Sequence, residues 1–184
     1  MVINENIWGR LVDNDLTAID EIKKQMEQGD GEIDADAFCE VVFDVMKKAS
    51  GSVVKWEIME KLILEISPIS IEKLSNATDG DGKTLYILAI EGGDTGMVGT
   101  LGQCKLNPNV ITSDGACALL AALEDTQCNA SMFTELLAYE GDPRIVLQTG
   151  VTLEDYINEH YPFSEFQDSM RVKLDQLDAG QNTR

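Results

Sequence analysis

The stretch Asp79-Gly-Asp-Gly-Lys-Thr-Leu-Tyr-Ile-Leu-Ala-Ile-Glu-Gly-Gly-Asp94, continuing through Thr95–Gly102 to Leu106-Asn-Pro-Asn109, decides how this chain is read. Its opening admits two ligand-binding interpretations. A calcium loop needs oxygen ligands at positions one, three and five, glycine at six and a bidentate Glu at twelve. With Gly82 at six, Asp79 and Asp81 fall correctly, but Ala77 stands at one and Leu88 at twelve. Two essential ligands are missing. A phosphate loop fares better, because Ala77-x-x-x-x-Gly82-Lys83-Thr84 supplies the lysine and the magnesium-binding hydroxyl of a nucleotide hydrolase. Asp79 and Asp81 would nevertheless repel phosphate from a cradle that works through backbone N–H groups and positive potential. The segment before it, Ile69-Ser-Ile-Glu-Lys-Leu-Ser-Asn76, is too short and polar for the buried strand such a loop follows.

The third interpretation accounts for more positions. Leu85, Leu88 and Ala89 fit a short helix that Gly92-Gly93 ends, and Met97, Val98 and Leu101 mark a second helix at i, i+1, i+4. Gly82-x-Thr84 before the first helix and Asn107-Pro108-Asn109 after the second complete a layout that resembles one ankyrin repeat. Leu85 and Ile87 depart from the Pro and His usual in that family. Gly99, Thr100 and Gly102 weaken the second helix, each glycine by about 1 kcal/mol against alanine, so a loose repeat is expected.

The pattern recurs. Asp114-Gly115 lies 33 residues beyond Asp81-Gly82 and precedes Leu119, Leu120, Ala121, Ala122 and Leu123. A polar turn from Glu124 to Asn129 leads to Met132, Phe133, Leu136 and Leu137, and Gly141-Asp142-Pro143 closes the unit. Gly150-Val-Thr152 repeats the entry, Leu153–Ile157 supplies a helix, and Phe163–Leu177 is an amphipathic helix suited to cap the last layer. Upstream, helix pairs are expected near 5–27 and 34–66 without the Gly-x-Thr entry. The expectation is an all-α, ankyrin-like solenoid of four to five stacked helix pairs with short hairpins, at 5–27, 34–66, 84–104, 116–139 and 152–178. A frayed tail follows at 179–184.

Charge narrows function. The 184 residues carry a formal charge of -19, which argues against direct nucleic-acid or anionic-membrane binding and favours a basic partner or mere solubility. Residues 77–163 hold 13 acidic side chains against Lys83, Lys105 and Arg144. Cys39, Cys104, Cys117 and Cys128 form no Cys-x-x-Cys pair, so buried thiols in a reducing compartment are expected and no metal site. With no apolar run near about 18 residues, a cytoplasmic protein is expected, with delivery into a host cell left open.

Resemblance to ankyrin repeats implies a concave binding surface beside the entry glycines and at the ends of the first helices. On this sequence those positions are Gly80, Asp81, Lys83, Glu91 and Gly92, then Ser113, Asp114, Ala116, Glu124 and Asp125, then Thr149, Val151, Glu159 and His160. Asp81, Lys83, Glu91, Ser113, Asp114, Glu124 and Asp125 are the candidate partner-binding residues. No catalytic residue, metal ligand or cofactor is expected. His160 is the single histidine and has no nucleophile beside it in sequence, so it reads as a loop or cap residue. Trp8 and Trp56 sit on apolar stripes and read as core. The implied function is non-catalytic protein–protein binding by an acidic concave face, as adaptor, inhibitor or host-directed effector. An acidic nucleic-acid mimic and a hydrolase using Lys83 and Thr84 remain the alternatives. A solvated acidic face without a partner is the plainer reading.

Overall fold

The computed structural model describes residues 5–27, 33–48, 52–124, 130–162 and 164–181. Among these residues the chain is all-helical, with one isolated antiparallel bridge between Val146 and Thr152. The elements are α1 (Glu5–Val12), α2 (Thr17–Glu27), α3 (Ala35–Lys48), α4 (Val53–Lys61) running into a π-helical turn (Leu62–Ile66), and α5 (Ile71–Asn76). They continue with α6 (Leu85–Glu91), α7 (Thr95–Gln103), α8 (Ala118–Glu124), α9 (Ala130–Ala138), α10 (Leu153–His160) and α11 (Glu165–Gln181).

Local chemistry sets these boundaries. The hydroxyl of Thr84 accepts the Ile87 N–H to start α6, and Thr152 does the same for Asp155 at the start of α10. After Glu91 the chain turns left-handed at Gly93, where the Asp94 N–H reaches back to the Ala89 carbonyl at 2.9 Å. Asp94 then caps α7 by accepting the Met97 N–H. Segment 69–76, too polar for a buried strand, holds instead the short helix α5, capped by Ser70. At the other end α11 extends past Asp178 to Gln181, and residues 182–184 lie outside the described residues. The apolar stripe of that helix carries it through Leu177, and Asp178-Ala-Gly-Gln181 extends the last turn.

The pairs touch in chain order. Helix α1 lies on α2 and α3, α3 on α4 and α6, α6 on α7 and α8, and α7 between α4 and α9. Helices α8 and α9 pack together, and α11 covers α9 and α10. One continuous core runs through all of them, from Leu11 and Ile22 through Phe38, Ile58, Leu101 and Leu119 to Phe133, Leu153 and Met170. Burying one such side chain stabilises by about 1.5–3 kcal/mol. The edge of Phe133 meets the Phe166 ring with centroids 5.4 Å apart, which seals α9 against α11. Cys104 and Cys117 are buried free thiols; burial raises the Cys104 pKa to about 11. Cys128, Phe163 and the glycines at 29 and 31 lie outside the described residues.

Two of the three glycines of α7, Gly96 and Gly102, are seats for neighbouring rings. A Cβ on Gly96 would stand 2.1 Å from Cζ2 of Trp56, and one on Gly102 would stand 2.1 Å from Cγ of Tyr139. The helix is therefore tightly packed where its composition suggested looseness, with Met97, Val98 and Leu101 fully buried. Trp56 lies partly buried on this surface, and its indole N–H donates to the Asp94 carboxylate at 3.0 Å.

Candidate functional site

Three turns share one backbone design at spacings of 33 and 35 residues. In each, an N–H and a carbonyl bracket a glycine: Asp79 to Lys83 around Gly82, Thr112 to Ala116 around Gly115, and Leu147 to Val151 around Gly150. The three glycines have φ of 80°, 88° and 81°, a region that other residues enter only at a cost. The turns project their side chains beside the first helix of each pair. Gln148 links the second and third turns by donating to the Ser113 carbonyl at 2.9 Å.

Between the first two turns and helices α6 and α8 lies a groove of ≈ 480 Å³. Its walls are Lys83 and Glu91 on one side and Asp114 and Glu124 on the other; its floor is Ile87, Leu120 and Ala121. Each charged wall residue is oriented by a partner. The Lys83 ammonium lies 2.7 Å from the Glu91 carboxylate, an interaction that raises the Lys83 pKa. Both side chains are solvent-accessible, so the pair is worth at most about 1 kcal/mol. Asp114 accepts a short hydrogen bond from the Thr112 hydroxyl, which holds its carboxylate below the usual range. Glu124, the last residue of α8, accepts from the Tyr156 hydroxyl at 3.3 Å. Tyr156 in turn stacks on His160 with centroids 4.3 Å apart. His160 is exposed, and its Nδ1 lies 3.0 Å from the Tyr156 carbonyl on its own helix.

The structure thus brings Lys83, Glu91, Asp114 and Glu124 together around one groove. Asp81 and Ser113 are exposed in the neighbouring turns and do not line it, while Asp125 lies outside the described residues. The floor went unrecognised from sequence. Ile87 is 4% exposed yet sits apart from the continuous core, and Leu120 is half-buried beside it. The available signal was their common register, 33 residues apart on successive first helices.

The loop 77–84 follows helix α5, where a phosphate loop follows a strand. Asp79 Oδ1 accepts the N–H groups of Asp81 and Lys83 at 3.0 and 2.9 Å, so a carboxylate occupies donors that an anion would need. Thr84 is 4% exposed, and its hydroxyl caps α6. Among the described residues no group of three or more His, Cys, Asp or Glu side chains is placed to hold a metal ion. None of their helices is long and apolar enough to cross a membrane. Compared with known proteins, the chain matches no protein-family model and no curated protein.

Proposed function

We propose that this chain is a non-catalytic protein-interaction module, an ankyrin-like solenoid that holds a basic partner protein in the groove between α6 and α8. The observation that carries the reading is the groove itself. An apolar floor of Ile87, Leu120 and Ala121 lies between a wall of Lys83 and Glu91 and a wall of Asp114 and Glu124. Apolar floors supply affinity, while charged walls speed encounter and select the sign of the partner. With one cation against three anions the lining favours a segment that presents an apolar side chain flanked by Lys or Arg. The glycine turns at 82, 115 and 150 and the chain-order packing of the pairs support the repeat reading. Adaptor, inhibitor and host-directed effector are the settings in which such a module acts.

The test is affinity capture with the intact chain, followed by titration of each captured protein at rising salt. The wild type is expected to retain a basic partner whose affinity drops by roughly tenfold or more between low and high salt. Reversing Glu91, Asp114 and Glu124 to Lys should abolish capture while thermal unfolding stays within a few degrees of wild type. A partner bound equally well by that triple variant would remove the groove from its interface.

A further inference from the structure

The chain itself carries one segment of the kind that the groove between α6 and α8 selects. Residues 45–56 hold Lys47, Lys48 and Lys55 and no acidic residue, the one window of twelve in this chain with three cations and no carboxylate. In a chain of formal charge -19 such a stretch is the exception. It spans the passage from α3 to α4. Val53 and Val54, the first two residues of α4, are 68% and 37% exposed, and Val53 is the most exposed large apolar side chain among the described residues. The three lysines differ in availability. Lys47 reaches the Asp79 carboxylate at 3.0 Å. Lys55 is buried, where desolvation lowers its pKa against the opposing charge of Asp94. Lys48 is exposed and, among the described residues, makes no ion pair. The rival segment is Arg171-Val172-Lys173 on α11, with Val172 59% exposed. Asp168 and Asp175 stand one turn to either side of Arg171, so that face offers an acidic groove no net positive charge.

Taking the groove as a binding site, we propose that its occupant is a second copy of this chain. Val53 and Val54 of one copy lie on the floor of Ile87, Leu120 and Ala121 of the next, and Lys48 meets the wall of Asp114 and Glu124. Charge and apolar surface both match. The exposed ammonium faces two carboxylates, and two adjacent valines that water now covers gain an apolar floor. The groove, of ≈ 480 Å³, falls in the range of about 300–1,000 Å³ that holds a compact group of side chains. Repulsion between two acidic chains does not forbid the contact. At about 0.15 M ionic strength charges more than about 8 Å apart are largely screened, and the corner brings its own positive sign to the groove. Donor and acceptor are different surfaces, so the contact is heterologous: copies pair reciprocally if the geometry closes and chain on if it does not. Either way, self-association covers the surface that a basic partner needs, and the two compete.

The experiment is sedimentation velocity of the full chain from about 1 μM to about 1 mM at about 0.15 M salt. So small a contact is weak, and the wild type is expected to associate with a Kd on the order of 10–100 μM. A donor variant, Lys48→Glu with Val53→Asp, should associate at least about tenfold more weakly; an acid in the first turn of α4 suits that helix, so the fold is kept. An acceptor variant, Glu91→Lys with Asp114→Lys and Glu124→Lys, should lose association equally. Mixed together, the two variants should form a one-to-one complex of wild-type affinity, because one sound corner then meets one sound groove. A mixture that stays monomeric, with both chains folded by circular dichroism, would overturn the proposal, as would a donor variant that associates like wild type. The wild-type series decides even if a variant does not fold: a monomer at about 1 mM refutes the contact. The groove reading fails separately. A monomeric wild type that captures a basic protein keeps the groove and removes the second copy as its occupant, whereas capture of that protein by the acceptor variant removes the groove.

Discussion

Replacing Gly96 by Ala should destabilise this protein, although helix propensity alone predicts the reverse. Gly96 lies in the first turn of α7, where alanine would favour the helix by at most about 1 kcal/mol. The added methyl would stand 2.1, 2.4 and 2.5 Å from three atoms of the Trp56 ring. Carbon atoms prefer separations of about 3.5–4.0 Å, so the ring must withdraw by more than an ångström. It cannot do so freely, because its N–H holds the Asp94 carboxylate at 3.0 and 3.2 Å, and Asp94 is 6% exposed. Overpacking costs about 1–3 kcal/mol, and losing a hydrogen bond to a charged group about 1.5–3 kcal/mol. Against the helix gain, a net loss of roughly 2 kcal/mol is expected in urea unfolding at constant m-value. The decisive measurement is the cycle with Trp56→Leu. Without the ring, Gly96→Ala should turn neutral or stabilising, giving a coupling of about 2–3 kcal/mol. Should Gly96→Ala stabilise the wild-type background, the ring does not sit over the glycine and the packing argument for α7 fails.

Other perturbations read other parts of the molecule. Lys105 and Glu140 follow α7 and α9 in the left-handed conformation, with φ of 66° and 70°; Lys105→Gly and Glu140→Gly should each raise stability by about 1 kcal/mol, read as a rise in Tm. Asp79 has its folded-state pKa depressed by backbone donors and Lys47, so its contribution is fully present above the ordinary carboxylate value, near about 4, and is lost as pH falls through the folded value. Asp79→Asn should therefore flatten the acid limb of the stability profile below about pH 4 and leave its neutral region parallel to wild type. Asn109 joins two layers by accepting the Asp142 N–H at 2.7 Å and donating to the Glu140 carbonyl at 2.9 Å. Asn109→Ala should cost about 1–3 kcal/mol, with the amide of Asp142 losing hydrogen-exchange protection first.

Helix positions were legible because periodicity and punctuation are local. Met97, Val98 and Leu101 declare a buried face within five residues, and Gly82, Gly115 and Gly150 fall where a positive φ excludes most other residues. Four of the seven candidate surface residues meet around one groove because α6 packs against α8, which sets the turns before those helices side by side. Its floor went unrecognised for the opposite reason. Ile87 and Leu120 look like any apolar helix residues, and only the gap between two helices distinguishes a groove from a core. Helix α5 was unread because six mostly polar residues carry little periodic signal, and its cap, Ser70, is one hydroxyl among many.

The amino-acid sequence by itself determined the all-helical class, the ends of most helices and the glycine-centred turns, since each depends on side-chain and backbone preferences within one turn of chain. Only the tertiary structure decided why α7 is rich in glycine, where Asp79 spends its charge and which carboxylates share a cavity. Trp56 and Asp94 are 38 residues apart, and Lys47 and Asp79 are 32. Such pairs exist only after the helix layers close on one another, because burial and distance fix their energies and neither is a property of the chain read in order.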